Sequence, residues 1–122
     1  MQYICLPYTH DNTLLNYLIE QRVPVETCPI SNVRTGVVES YEEHPVKRYH
    51  EQGMFLSINM DDPKMFGNSL AEEYFLLVEK RGFTASEIKD LVLGSIKMSW
   101  MPEDGKGQMK KSLTRIRFGL CI

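Results

Sequence analysis

Two short runs, Val23-Pro24-Val25-Glu26-Thr27-Cys28 and Phe55-Leu56-Ser57-Ile58-Asn59, each stand between segments patterned as helices, and this alternation constrains the fold more than any other feature. Runs of this length bounded by turn residues read as strands. A strand, a helix and a further strand in succession imply parallel pairing through a right-handed helical crossover. Pro24 is compatible with such a strand because it sits near the start, where no ladder donor is required. A parallel sheet is normally covered on both faces and has more than two or three strands. The expectation is therefore α/β architecture with an incomplete sheet.

The helices are bounded by recognisable chemistry. Over 11–21, Leu14, Leu15, Leu18 and Ile19 share one face and Asp11 supplies an N-cap. Residues 29–39 show no periodicity and read as a loop. A second helix is expected to begin between Ser40 and Pro45, with Ser40 and Glu43 as a capping box or Pro45 as a first helical residue, and to end at Gly53. Asn68 or Ser69 caps a helix to Arg81, stopped by Gly82 and carrying Leu70, Tyr74, Leu77 and Val78. Thr84 and Glu87 form a capping box for a helix to about Ser99 with Ile88, Leu91, Val92 and Ile96 on its apolar face. Pro102 opens a last helix weakened by Gly105 and Gly107, with Met109, Leu113, Ile116 and Phe118 on one side. Residues 3–6 are a candidate strand before the first helix. No repeat or linker divides the chain, so residues 1–122 are treated as a single unit.

Several classes fall away. Lys and Arg number 14 against 16 Asp and Glu, a formal charge of −2, which offers no basic surface for phosphate backbones. No nucleic-acid partner is expected. No apolar run approaches the roughly 20 residues of a spanning helix, so no membrane partner is expected either. Cys5, Cys28 and Cys121 are three, far apart and odd in number. That excludes a Cys-x-x-Cys motif, argues against a disulfide framework and points to a reducing cytoplasm. At 122 residues the chain is half the roughly 250 of a complete (β/α)8 barrel.

Ligands of α/β sheets gather at the carboxyl ends of the strands. Here those ends are Cys28-Pro29-Ile30-Ser31-Asn32 and Ser57-Ile58-Asn59-Met60-Asp61-Asp62-Pro63. Adjacent carboxylates repel, and a bound cation would hold one of them ionised. The alternative is a solvated Asp-Pro turn. His10, His44 and His50 follow no His-x-His or His-Glu-x-x-His spacing, and His44 before Pro45 reads as a helix-start residue. Cys28 reads as a small buried thiol.

The run from Cys28 through Val38, Glu43-His44-Pro45-Val46-Lys47-Arg48, Ser57 through Leu70, and Ser99-Trp100-Met101-Pro102-Glu103 together resemble the C-terminal part of bacterial adenosine deaminases. The resemblance spans about 11–113. It implies a partial (β/α)8 TIM barrel: the last two or three βα units plus C-terminal helices. The activity it implies for the complete barrel is zinc-dependent hydrolysis of adenosine to inosine and ammonia, with a purine nucleoside as substrate. The resemblance also admits adenine or aminodeoxyfutalosine deamination, or a non-catalytic remnant acting as an interaction module.

Carried over by position, the resemblance makes Asp61 a zinc ligand at the end of the last strand and Asp62 the neighbouring aspartate that hydrogen-bonds the purine. Ser31 and Asn32 match a strand-end motif near the pocket. The family's His-x-His pair, its later histidine and the glutamate of His-Ala-Gly-Glu have no counterpart here. Tyr3-Ile4-Cys5 stands where a Gly-His-Gly motif is expected, Met60 replaces the usual Ser or Thr, and residues 1–10 fall outside the resemblance. No catalytic residue is recognisable, so the isolated chain is expected to be inactive. Strands without neighbours also predict self-association through open sheet edges.

Overall fold

The computed structural model describes residues 11–115 and, as backbone, the strand β1 (Ile4–Cys5). His10, Ile116, Phe118 and Cys121 lie outside the described residues. With β2 (Val25–Thr27) and β3 (Leu56–Ile58), β1 forms one sheet in the order β1-β2-β3. Both pairings are parallel, as the alternation of elements demands: Ile4 faces Val25, Val25 faces Leu56 and Thr27 faces Ile58. The strands are shorter than the apolar runs. Phe55 and Asn59 nevertheless still bond across the ladder, through Val25 N–H to Phe55 C=O at 2.8 Å and Asn59 N–H to Thr27 C=O at 2.9 Å.

The first helix, α1 (Asn12–Glu20), starts where Asp11 accepts the Leu14 amide at 3.1 Å, and it buries Leu15 and Leu18. The loop expected over 29–39 is instead opened by a six-residue helix, α2 (Pro29–Arg34). Pro29 stands at its first position, where the missing N–H would be unpaired in any case. Pro29, Ile30, Ser31 and Asn32 are all buried, so the first four residues of α2 have no solvent face and show no amphipathic period. The box expected between Ser40 and Glu43 does not form. Glu43 N–H bonds the Ser40 carbonyl at 3.3 Å in a turn, and α3 (Val46–Glu51) begins beyond Pro45, which is its cap residue. Gly53 (φ +85°) follows α3 with the left-handed backbone expected of it.

A short helix absent from the sequence reading, α4 (Pro63–Phe66), follows β3 directly, with Asp62 as its N-cap. The next two helices match expectation closely. Ser69 and Glu72 form a capping box on α5 (Leu70–Arg81), and Thr84 and Glu87 form another on α6 (Ala85–Met98). The last helix, α7 (Glu103–Thr114), runs unbroken through Gly105 and Gly107.

One apolar core joins α1, β2, α3, β3, α5 and α6: Leu15, Leu18, Val25, Val46, Tyr49, Met54, Leu56, Ile58, Leu77, Phe83, Ile88 and Leu91. All three β3 residues are buried. Helix α6 lies so close to this strand that a Cβ on Gly94 would stand 3.1 Å from the Leu56 carbonyl oxygen. Among the described residues no helix is long and apolar enough to cross a membrane.

Candidate functional site

The carboxyl ends of β2 and β3 are adjacent because the strands are parallel neighbours. From the end of β2 the chain turns into α2, placing Ser31 and Asn32 in its buried first half. From the end of β3 it passes Met60 and adopts a left-handed conformation at Asp61 (φ +64°). Asp is among the few non-glycine residues that tolerate this region. The turn brings Asp61 to Ser31, whose Oγ donates to Asp61 Oδ2 at 2.8 Å.

Asp62 has a different local task. Its Oδ1 accepts both the Lys64 and Met65 amides, at 3.1 and 3.0 Å, and so starts α4. Asp61 Oδ1 and Asp62 Oδ2 accept no hydrogen bond from the described residues. Two consecutive carboxylates thus each anchor through one oxygen and keep the other available. Both residues are exposed.

Behind Ser31 lies a polar network. Thr27 Oγ1 donates to Asn32 Oδ1 at 3.3 Å, and His44 Nε2 reaches the same oxygen at 2.9 Å. His44 Nδ1 accepts the Val46 amide at 3.1 Å, which leaves the proton on Nε2. Burial, and secondarily the charge of Arg81, hold the His44 imidazole down to about 4. His44 is therefore a neutral, buried histidine just before α3. It is a support of Asn32 rather than a surface residue.

Glu73, on α5, is the residue that sequence reasoning missed. It is wholly buried, accepts the Ile30 amide through Oε2 at 3.2 Å and accepts Asn68 Nδ2 through Oε1 at 2.8 Å. Burial pushes its carboxyl up, while these two bonds and the Arg34 charge pull against the shift. No local signal singles it out, because an acidic residue in the first turn of a helix is ordinary and Glu72 alone completes the capping box.

Cys28 is a buried thiol outside any disulfide, as expected. No group of three or more His, Cys, Asp or Glu among the described residues could hold a metal ion. Asp61 suits one ligand position, since its Oδ1 is available and Ser31 orients the carboxylate. A groove of about 280 Å3 between Arg22, His50, Met54, Asp90 and Gly94 opens at the opposite end of β3 from Asp61.

The profile of the adenosine deaminase family matches residues 6–116. The chain belongs to the adenosine deaminase family. It is 37% identical to the adenosine deaminase of Clostridium acetobutylicum over 82% of its length, and 36% identical to the aminodeoxyfutalosine deaminase of Streptomyces coelicolor over 81%. The crystal structure of an adenine deaminase from Arthrobacter aurescens superimposes with a TM-score of 0.83 at 28% identity, covering 86% of this chain. In each case the chain spans only about a quarter to a third of the relative: 30%, 26% and 32% of their lengths. The family resemblance visible in the motifs is thus a true membership, and the mixed α/β fold with its small parallel sheet matches that of a deaminase.

Proposed function

We propose that the chain forms the closing part of a deaminase (β/α)8 barrel, its last two or three βα units with the C-terminal helices, and serves hydrolytic deamination of a 6-aminopurine. Adenosine, giving inosine and ammonia, is the first substrate to test. In this reading Asp61 contributes one zinc ligand and Asp62 hydrogen-bonds the purine ring. When bound, zinc would supply Lewis-acid activation of the water consumed in the hydrolysis. Ser31 holds Asp61 Oδ2, which leaves Oδ1 as the oxygen that would bind the metal. Asp62 is held through Oδ1 by the amides of α4, which leaves Oδ2 as the oxygen that would hydrogen-bond the purine.

The observation that carries this reading is the pair of available carboxylate oxygens at the carboxyl end of the sheet, the edge where α/β enzymes do their chemistry. A structural zinc site needs four ligands and a catalytic one three; the described residues offer one. The remaining ligands and the proton-handling glutamate would come from upstream barrel units. Relatives with different substrates resemble the chain about equally, at 37% and 36%, so the choice of nucleoside or base follows from residues outside this sheet.

The test mixes the purified chain with a polypeptide carrying the upstream βα units of a relative and follows adenosine conversion spectrophotometrically. The expected result is no turnover by the chain alone, turnover by the pair, and its loss on Asp61→Ala. Zinc-dependent turnover by the mass-verified chain alone, abolished by Asp61→Asn, would overturn the proposal.

A further inference from the structure

Glu73 is a buried carboxylate with no part in the chemistry just described. We infer that it is a positioning residue which, through Asn68, aligns Ser31 with Asp61; this rests on reading Asp61 as the metal ligand. Glu73 Oε2 accepts the amide of Ile30, the residue before Ser31, at 3.2 Å. Its Oε1 accepts Asn68 Nδ2 at 2.8 Å, and the same Nδ2 donates to the carbonyl of Met60, the residue before Asp61, at 3.3 Å. The Ser31–Asp61 bond of 2.8 Å closes the circuit. One helix thereby grips both strand-end segments immediately upstream of the two side chains that meet.

Two features show that stability alone does not account for this arrangement. Glu73 precedes Leu77 by one helical turn and, like it, is fully buried. An apolar residue there would avoid the desolvation that a buried carboxylate incurs. Asn68 is turned so that its Oδ1 is buried without a hydrogen-bond partner among the described residues. Such unpaired groups are few in folded proteins. Both acceptors, Met60 O and Glu73 Oε1, require the nitrogen side of the amide to face them, and Oδ1 is left unpaired to satisfy that demand.

The test is a double-mutant cycle on the full chain, using Ser31→Ala, Asp61→Ala and their combination, read as unfolding equilibrium constants in denaturant. It is performed in the native, Glu73→Gln, Asn68→Ala and Leu77→Ala backgrounds. We expect a coupling of several-fold in the native and Leu77→Ala backgrounds, falling to within about twofold of unity in Glu73→Gln and Asn68→Ala. A spectroscopic measurement accompanies it. Ser31→Ala should shift the Asp61 carboxyl carbon resonance in the native chain and leave it unmoved in Glu73→Gln. Coupling retained in Glu73→Gln, or lost equally in Leu77→Ala, overturns the inference. If Glu73→Gln does not fold, Asn68→Ala decides on the same criteria. No metal or nucleoside enters these measurements. A negative result would therefore leave the deaminase reading intact, and failure of the mixing assay would leave the coupling intact.

Discussion

His44 Nε2 donates to Asn32 Oδ1 at 2.9 Å while its Nδ1 accepts the Val46 amide at 3.1 Å, so protonation of the ring must break one of the two contacts. The folded chain holds this histidine down to about 4, against 6.5 for the exposed side chain. Between those values the unfolded chain takes up a proton that the folded chain refuses. The contribution of His44 is complete above pH 6.5 and is lost as the pH falls toward about 4, amounting to roughly 3 kcal/mol over the window. Glu73, whose carboxyl is raised from 4.5, acts in the opposite sense, its contribution declining as pH rises through its folded value. Urea midpoints of the native chain and His44→Gln, compared from pH 7.5 to 4, should converge as the pH falls. A constant difference would contradict the assignment.

Two glycines in helices should respond oppositely to alanine. In Gly94→Ala the new methyl group meets the Leu56 carbonyl at 3.1 Å, and strand backbone yields little. The expected loss of about 1–3 kcal/mol from crowding exceeds the roughly 1 kcal/mol gained in helix propensity. A Cβ at Gly107 meets nothing within 4 Å, so Gly107→Ala should stabilise by up to about 1 kcal/mol. Thermal denaturation of the two variants distinguishes the cases by sign.

Asp62 separates stability from ligand recognition. Asp62→Asn keeps an oxygen for the Lys64 and Met65 amides and should fold within about 0.5 kcal/mol of the native chain. Asp62→Ala removes the cap and should cost about 1 kcal/mol. Both should weaken purine binding once the barrel is complete, since both alter the oxygen that α4 leaves available. Denaturant titration of each variant, paired with the mixing assay, tests the division.

Zinc alone should find little on this chain. Asp61 without three convergent partners binds as a surface carboxylate does, so titration calorimetry should show no tight one-to-one event. Tight binding lost on Asp61→Ala would mean that the ligands converge differently.

Among the described residues β3 has a strand neighbour only on the β2 side. Its other edge is a template for pairing, so the chain should form dimers or larger species at micromolar concentration. Light scattering after size exclusion checks this; a sharp, concentration-independent monomer peak would show that the edge is covered.

Much of this architecture could be read from residues whose local chemistry acts alone. Thr84 with Glu87, Asp11, Gly53 and Gly82 mark helix ends because capping and left-handed backbone depend on a few neighbours. The pairing of β2 with β3 followed from alternation. By contrast α2 went unseen because its buried first half has no polar face to set against an apolar one. The Ser40–Glu43 spacing suggested a box, but the chain there makes a tight turn whose backbone satisfies itself. At the site, the Asp61-Asp62 pair was visible as two consecutive charges. Glu73 and His44 were not, because their partners are 43 and 12 residues away along the chain and only the fold brings them together.

The left-handed backbone at Asp61 has a consequence for how this position drifts. Glycine would occupy the same conformation without strain, a relief of about 1 kcal/mol, yet would remove the carboxylate and with it the bond from Ser31. Selection for a durable fold and selection for a working site therefore pull against each other at a single codon.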